Sequence, residues 1–508
     1  MRKIGFVPTS LNNESKSEEQ EKPWKKEYSK NSTIFGKNVF LPINMKKQLN
    51  DNVLVLGTSG TGKTYSFVEP NILQGNTNYV IADAKGDILR NIGASLIKMG
   101  YKLQVINLVD LKHSMTYNPL NYANDQLSIM HFADKVVSSD ITGKMSTKNS
   151  SQDPFWDNAA EDLLESLIFF VKEFLPLKEQ NMASVINLYN IVNMSPKKIN
   201  DVLTSVNHGE LSKYYELTSV DDNDSIGNHI FNWARRKNPN SQAVKAWDLI
   251  ASNQIAEKTW SNVYGILGSS LTRYALSDVL NLTSSNQVEF SELLKPKTAL
   301  FILYDDADDS KNFISDMLYT QLFSYLYEAA RSFENKLPVK VRFFLDDFKN
   351  IHIPNFDDYL ATARSRNISI CMMLQNESQL VAKFHENTPS VIGNCAAYLL
   401  TGTTDLEMAK IASSRFNLST NTIRQKNYEQ FLLDISGYIS YPIRYDFQKH
   451  PAYYKRVFDV NKHFVTPSIQ DKKNISLLNI LKSMSRSMSK LAVRPINPFD
   501  YTSDEDRY

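Results

Sequence analysis

Apolar residues fall into three regimes along the chain. Near the front, short unbroken apolar runs end in glycine or an acid: 52–57 (NVLVLG), 79–87 (YVIADAKGD) and 102–110 (KLQVINLVD). Runs this short, without alternation, suit strands buried on both faces. Helix-sized segments, about 65–74 and 87–99, separate them, which predicts a parallel α/β sheet covered on both sides. From about 125 to 290 the strands stop and the apolar spacing becomes helical. Asp153-Pro154 offers an N-cap and a first-turn proline. The helix it opens carries a stripe of Phe155, Ala159, Leu163, Ser166, Leu167, Phe170 and Val171. Ser195-Pro196 opens another helix, and a third runs from Ala256 to Tyr274. Strands return at 298–306, 339–347, 368–375 and 396–402, with helices at about 309–334, 355–366 and 404–416 between them. The expected architecture is one mainly parallel sheet interrupted by an all-helical domain.

That pattern divides the chain into a polar arm (1–35), a first part of the sheet domain (36–124), the helical domain (125–290), a second part of the sheet domain (291–420) and an extension (421–508). The extension is rich in Tyr, Phe, Lys and Arg over 421–458. It then offers a short amphipathic stretch at 474–490 and ends in an acidic tail. No apolar stretch reaches the roughly 20 residues a membrane helix needs, and the N-terminus has no signal-peptide core.

Composition removes several classes. With 508 residues, 42% hydrophobic and 22% charged, a disordered chain, a collagen-like repeat and a disulfide scaffold are excluded. The formal charge is +2, so any nucleic-acid binding must come from local patches. Cys371 and Cys395 are too few for a disulfide framework and read as core thiols of a reduced protein.

The strongest chemical signal is Gly57-Thr58-Ser59-Gly60-Thr61-Gly62-Lys63-Thr64. It fits G-x-x-x-x-G-K-[ST] and lies between an expected strand and an expected helix, the context this phosphate-binding loop requires. Its glycines let backbone N–H groups point at phosphate oxygens, and the helix that follows adds a favourable dipole. Lys63 is placed to reach the β- and γ-phosphates and Thr64 to hold Mg²⁺ through its hydroxyl. Such a loop needs an acid at the end of a neighbouring strand. Asp346-Asp347, closing FFLDD, supplies two consecutive carboxylates, Asp346 for the metal and Asp347 for the attacking water. Asp83 is the other candidate. It reads as a residue ordering the loop with Lys85 or capping the helix that starts near Asp87.

Several ordered blocks then resemble one family. GTSGTGKT, VEPNIL (68–73), IADAKGDI (81–88), GYKLQVINLVD (100–110), YNPL (117–120), DPFWDNAAEDLL (153–164) and the stretch 344–380 are similar to the type IV coupling proteins of conjugation and secretion. The resemblance spans about residues 38–415. It implies a RecA-like ATPase with a helical insertion, usually a hexamer around DNA, that brings relaxase–DNA cargo to a membrane-anchored secretion channel. By the same resemblance Arg364 lies where an arginine finger acts on the neighbouring subunit's nucleotide, with Arg366 its close competitor, and Gln375 matches a sensor glutamine. A guanidinium forks onto two phosphoryl oxygens, and a carboxamide can donate to phosphate while accepting from water.

The chain departs from the family at three points. Asp347 stands where Glu is usual, one methylene shorter, so hydrolysis is expected to be slow or to tighten only in an assembled ring. No N-terminal membrane helices are present, which implies a cytoplasmic protein, peripheral at the inner face of the membrane and docked on a separate partner. The segment after about 420 does not match strongly. For sequence-independent DNA contact the basic candidates are Lys144, Lys148, the cluster Arg235-Arg236-Lys237, and the stretch Arg444–Arg456, where Tyr445, Phe447, Tyr453 and Tyr454 interleave with bases. A plain hairpin edge or solvated face is the favoured account of that last stretch. The rival functions are a chromosome-partitioning type of DNA translocase and a nucleotide-gated docking protein with little turnover.

Overall fold

The computed structural model describes residues 23–43, 50–138, 154–194, 225–251, 257–426 and 429–468, together with residue 480. Lys144, Lys148, Asp153, the Ser195-Pro196 helix start, Ala256, the rest of 474–490 and the acidic tail lie outside the described residues. The strands are β1 (Ser32–Gly36), β2 (Val39–Pro42), β3 (Val53–Leu56), β4 (Asn78–Ala84), β5 (Lys102–Asn107), β6 (Thr298–Tyr304), β7 (Val341–Leu345), β8 (Ile368–Leu374), β9 (Ala397–Leu400), β10 (Leu432–Ile435) and β11 (Tyr438–Ser440). Nine of them form one sheet in the order β11-β10-β9-β3-β8-β7-β4-β6-β5. From β9 to β5 every neighbouring pair is parallel, and β10 and β11 continue the sheet antiparallel. The apolar runs of the sequence are thus buried strands of an α/β fold, with helices on both faces.

The expected helical domain interrupts this sheet between β5 and β6. It comprises α3 (Gln126–Ser138), α4 (Pro154–Phe174), α5 (Met182–Val192) and further helices at Ile226–Lys237, Gln242–Ala251, Glu257–Leu271 and Ser277–Thr283. Helix α4 is the hub: Ala160, Leu163, Leu164, Leu167, Ile168, Phe170 and Val171 are all buried, so neighbours cover it on more than one side. Phe155, expected in the apolar stripe, is exposed. It lies in the first turn, where its ring meets the edge of Trp156 at 5.2 Å. The ring of Trp247 stacks on Phe231 at 4.2 Å. That packing needs Gly227, because a Cβ there would come within 2.5 Å of the indole.

Two regions depart from expectation. Residues 32–35, at the end of the stretch read as a loose arm, are fully structured: β1 and β2 form an antiparallel hairpin. Asn71 pins it, accepting from the Ile34 N–H at 2.8 Å and donating to the Ile34 carbonyl at 2.8 Å. At the other end, the extension supplies β10 and β11, which cover what would otherwise be the exposed edge of β9.

The start of β3 is fixed by two asparagines. Buried Asn52 donates to the carbonyls of Leu360 (3.2 Å) and Asn394 (3.0 Å) and accepts from the Ile370 N–H (2.9 Å). Asn50 accepts from the N–H groups of Asn52 and Ala396, both at 3.0 Å. Asn52→Ala removes the side-chain partner of the Leu360 carbonyl and the Ile370 N–H, while the Asn394 carbonyl keeps Asn50 Nδ2 at 3.0 Å; a buried group left unsatisfied costs about 1–3 kcal/mol. The substitution is expected to lower the thermal midpoint by roughly 2 °C or more, with no change in far-ultraviolet circular dichroism at low temperature. An unchanged midpoint would show that this clamp does not hold the strand.

Candidate nucleotide site

Helix α1 (Glu69–Leu73) follows the glycine loop directly, preceded by one wider π-type turn, Thr64–Val68. Helix α2 (Asp87–Lys98) follows β4. The loop itself follows β3 and lies at the C-terminal edge of the parallel strands, where open α/β sheets take their ligands. Gly60 (φ +80°) and Gly62 (φ +93°) hold backbone conformations that favour glycine. Gly57 is required by crowding instead: a Cβ there would lie 2.1 Å from Thr401 Oγ1. Thr401 and Thr61 share a 2.7 Å hydroxyl contact, and the Thr58 N–H donates to the Gly402 carbonyl at 3.1 Å, so the loop is braced by the residues after β9. Lys63 Nζ donates to the carbonyls of Gly57 (2.5 Å) and Thr58 (3.3 Å), which holds the amine over the loop. Burial lowers its pKa, and the carboxylates of Asp346 and Asp347 oppose that shift.

Strand order brings the acid pair to this loop. Strand β8 lies between β3 and β7, and the Gly57 N–H donates to the carbonyl of Leu374, the last residue of β8. Asp346 follows β7 on the far side of β8. Its Oδ2 accepts the Thr64 hydroxyl at 2.7 Å, across 282 residues of sequence. Burial raises the Asp346 pKa, while the Thr64 hydrogen bond and the Lys63 charge pull it down. Gln375 comes directly after β8, between the two. Its N–H donates to Gln379 Oε1 at 2.9 Å.

The structure does not bring every expected residue to the loop. Asp347 sits in the left-handed region (φ +47°). Its Oδ2 accepts from Asn350 Nδ2 at 2.9 Å and faces Lys349 at 3.9 Å, so the carboxylate is tied back to its own turn. Arg364 lies in the turn Ala363–Arg366, just before β8, at the N-terminal edge of the sheet. The seven residues of β8 separate it from the loop of its own chain by roughly 20 Å. Its side chain is exposed. Arg366, its competitor, lies over the Tyr327 ring at 4.8 Å. Asp83 does not serve the metal side. Its two carboxylate oxygens accept from the N–H groups of Ile88 (3.1 Å) and Leu89 (2.8 Å), capping α2, and burial pushes its pKa up to about 7 against that pull. Lys85 pairs instead with Asp306 at 2.9 Å.

One acid escaped sequence reading. Glu69, inside the apolar VEPNIL run, is buried, and its pKa is pushed up to about 8 by desolvation. Asn91 donates to its Oε1 at 2.7 Å, while Oε2 has no hydrogen-bond partner. With Thr64, Asp83, Asp306 and Asp346 it lines a cleft of about 310 Å³. Among the described residues no group of three His, Cys, Asp or Glu has metal-holding geometry. Thr64 and Asp346 therefore fit a hard cation that takes its remaining ligands from water and phosphate, the usual condition of Mg²⁺ at phosphate sites.

The basic candidates are mostly engaged. Arg235 pairs with Asp248 at 2.6 Å, and Lys237 lies over the Trp233 ring at 5.9 Å. Within Arg444–Arg456, Tyr445 and Phe447 are buried and Tyr453 packs edge-on against Phe447 at 5.2 Å, so these three are core, whereas Tyr454 is exposed with Lys98 over its ring at 4.4 Å.

The fold agrees with what comparison finds. The chain is similar to the bacterial conjugative coupling protein TrwBdeltaN70 in its unbound monoclinic form (TM-score 0.54, 14% identity, covering 84% of this chain and 93% of that one). Its trigonal form in complex with sulphate gives a TM-score of 0.51 at 13% identity, covering 81% and 93%. VirB4 of Thermoanaerobacter pseudethanolicus gives 0.50 at 12% identity, covering 82% and 97%. At these identities the likeness is one of fold. No curated protein matches the chain in sequence. The model of the family described as type IV secretory system conjugative DNA transfer matches residues 10–436, and the chain, with its braced glycine loop and the acid of β7 drawn to it, belongs to that family.

Proposed function

We propose that this chain is an ATP-dependent coupling protein that recruits relaxase–DNA cargo to a type IV secretion channel and drives DNA transfer. The observation that carries this reading is the contact of Thr64 with Asp346, which joins the phosphate loop to the acid of a strand from the far half of the chain. Membership of a family described as type IV secretory system conjugative DNA transfer supports that cargo and that channel. ATP bound with Mg²⁺ supplies the high-energy phosphoryl bond. The loop N–H groups and Lys63 hold the phosphates, and Thr64 and Asp346 hold the cation's inner or water-bridged ligands. Asp347 orients the attacking water once its carboxylate turns from Asn350, and Gln375, between β3 and β7, senses the γ-phosphate. The position of Arg364 at the opposite sheet edge supports action on a neighbouring subunit's nucleotide, which requires a homo-oligomer; a hexamer around sequence-independent DNA suits the family. No helix among the described residues is long and apolar enough to cross a membrane, and we place the chain at the cytoplasmic face, docked on membrane-anchored channel proteins.

The hold of Asn350 and Lys349 on Asp347 favours one second reading, a nucleotide-gated docking protein that turns over slowly. ATPase assays with and without DNA separate the two. A motor shows DNA-stimulated turnover that Lys63→Ala lowers by about 10²-fold or more. Nucleotide binding with negligible turnover, and relaxase capture intact, would instead establish the docking protein.

Arg364→Ala is expected to lower stimulated turnover by about 10³-fold, the usual range for a lost arginine finger. Mixing Arg364→Ala with Lys63→Ala is expected to restore part of the activity, because some interfaces then pair an intact loop with an intact arginine. No recovery on mixing would contradict action between subunits.

A further inference from the structure

The extension after β9 does more than cover a sheet edge. Beyond β11 it crosses the first turn of the phosphate-loop helix and places Arg444 there. The Arg444 Nε donates to Ser66 Oγ at 3.1 Å. Its guanidinium carbon and Nη2 each lie 3.3 Å from the position a Cβ would take on Gly62, the last glycine of the loop. The group also lies 5.4 Å from the centre of the Tyr65 ring. The backbone holds this geometry: the Arg444 N–H donates to the Glu429 carbonyl at 2.8 Å. Two residues on, Asp446 Oδ1 accepts the Tyr65 hydroxyl at 2.7 Å, and buried Phe447 packs edge-on against Tyr65 at 4.8 Å. Among the described residues, Nη1 and Nη2 make no hydrogen bond, and no carboxylate lies within ion-pair distance of this arginine.

An arginine pressed on a phosphate-binding loop, with one nitrogen anchored and the fork unused, has the chemistry of an oxyanion receptor. The loop's own geometry says which oxyanion. Gly62 and Ser66 are one turn apart and share a face, as the Ser66 N–H donating to the Gly62 carbonyl at 2.8 Å shows. Thr64, two residues from each, points about half a turn away and faces Asp346. Arg444 is therefore on the flank opposite the metal side. Lys63 serves the β- and γ-phosphates, and the loop amides serve the α- and β-phosphates. We propose that Arg444 is a nucleotide-binding residue, supplied by the C-terminal extension to its own chain's loop, that takes the α,β-diphosphate part of the nucleotide. This rests on the nucleotide-binding part of the function proposed above and adds a recognition residue from outside the sheet domain's own motifs.

The test is titration of the full chain with fluorescent ADP and ATP analogues in the presence of Mg²⁺, using wild type, Arg444→Ala, Arg444→Lys, Tyr65→Phe and Lys63→Ala. Arg444→Ala is expected to weaken ADP and ATP alike, by about 10-fold to 100-fold for a lost charge-assisted fork. Arg444→Lys is expected to recover part of the loss. Tyr65→Phe, which releases Asp446 but keeps the guanidinium, is expected to bind far more tightly than Arg444→Ala, and ligand-free melting of Arg444→Ala is expected to stay near wild type. Wild-type affinity in Arg444→Ala would overturn the assignment, and so would a loss confined to ATP, which would move the guanidinium to the γ-phosphate. Equal losses in Tyr65→Phe and Arg444→Ala, with a lowered melt in both, would reduce Arg444 to a structural tether. Binding lost in Lys63→Ala but kept in Arg444→Ala sinks this inference alone, whereas a wild type that binds neither nucleotide sinks the nucleotide site itself.

Discussion

A single hydroxyl–carboxylate contact, from Thr64 to Asp346, joins the two halves of this molecule's chemistry. It exists because β8 separates β3 from β7 by one strand and aligns their C-terminal ends. A parallel sheet does this economically. Each strand ends at the same edge, so residues hundreds of positions apart arrive at one crevice without any loop having to travel. The glycine loop needs that external support. Thr401 and Gly402 brace it from β9, Leu374 from β8, and Asp346 from β7.

The charges around this crevice are arranged by burial more than by pairing. Glu69, Asp83 and Asp346 all have raised pKa values with desolvation as the main cause. These acids line one low-dielectric cleft and repel one another; the Lys63 charge opposes the shift of Asp346, and Lys349, Lys63 and Lys85 oppose that of Asp347. Such a cleft favours any added positive charge. Asp83, though acidic and near, answers to the N-terminus of α2 instead. Neighbouring acids at similar strand ends thus take different work because their backbone surroundings differ.

Much of this was legible in the sequence, for reasons that can be named. Strands buried on both faces need unbroken apolar runs, so β3, β4, β6, β7 and β8 announced themselves. The loop needs its glycines at fixed spacing, and Asp346 had to end a strand. Other features have no local signature. Nothing in Leu432–Ser440 says that it pairs with β9, because edge pairing depends on which edge is left open. Residues 32–35 close a stretch that reads as polar and loose, yet Asn71, nearly forty positions later, holds them. Phe155 fits a helical stripe by spacing, but in the first turn of α4 it is exposed. Glu69 was hidden inside an apolar run where a charge is out of place, and that misfit was the one available clue. Arg444 is beyond reach of any sequence motif, since its meaning comes from lying on Gly62.

The central claim is that Thr64 and Asp346 form the metal side of a nucleotide site. The most direct measurement is calorimetric titration of ADP into the full chain, with and without Mg²⁺, for wild type and Asp346→Asn. The account requires Mg²⁺ to tighten binding in wild type and to lose most of that effect in Asp346→Asn, with metal-free affinity retained. The same Mg²⁺ dependence in both proteins would contradict it.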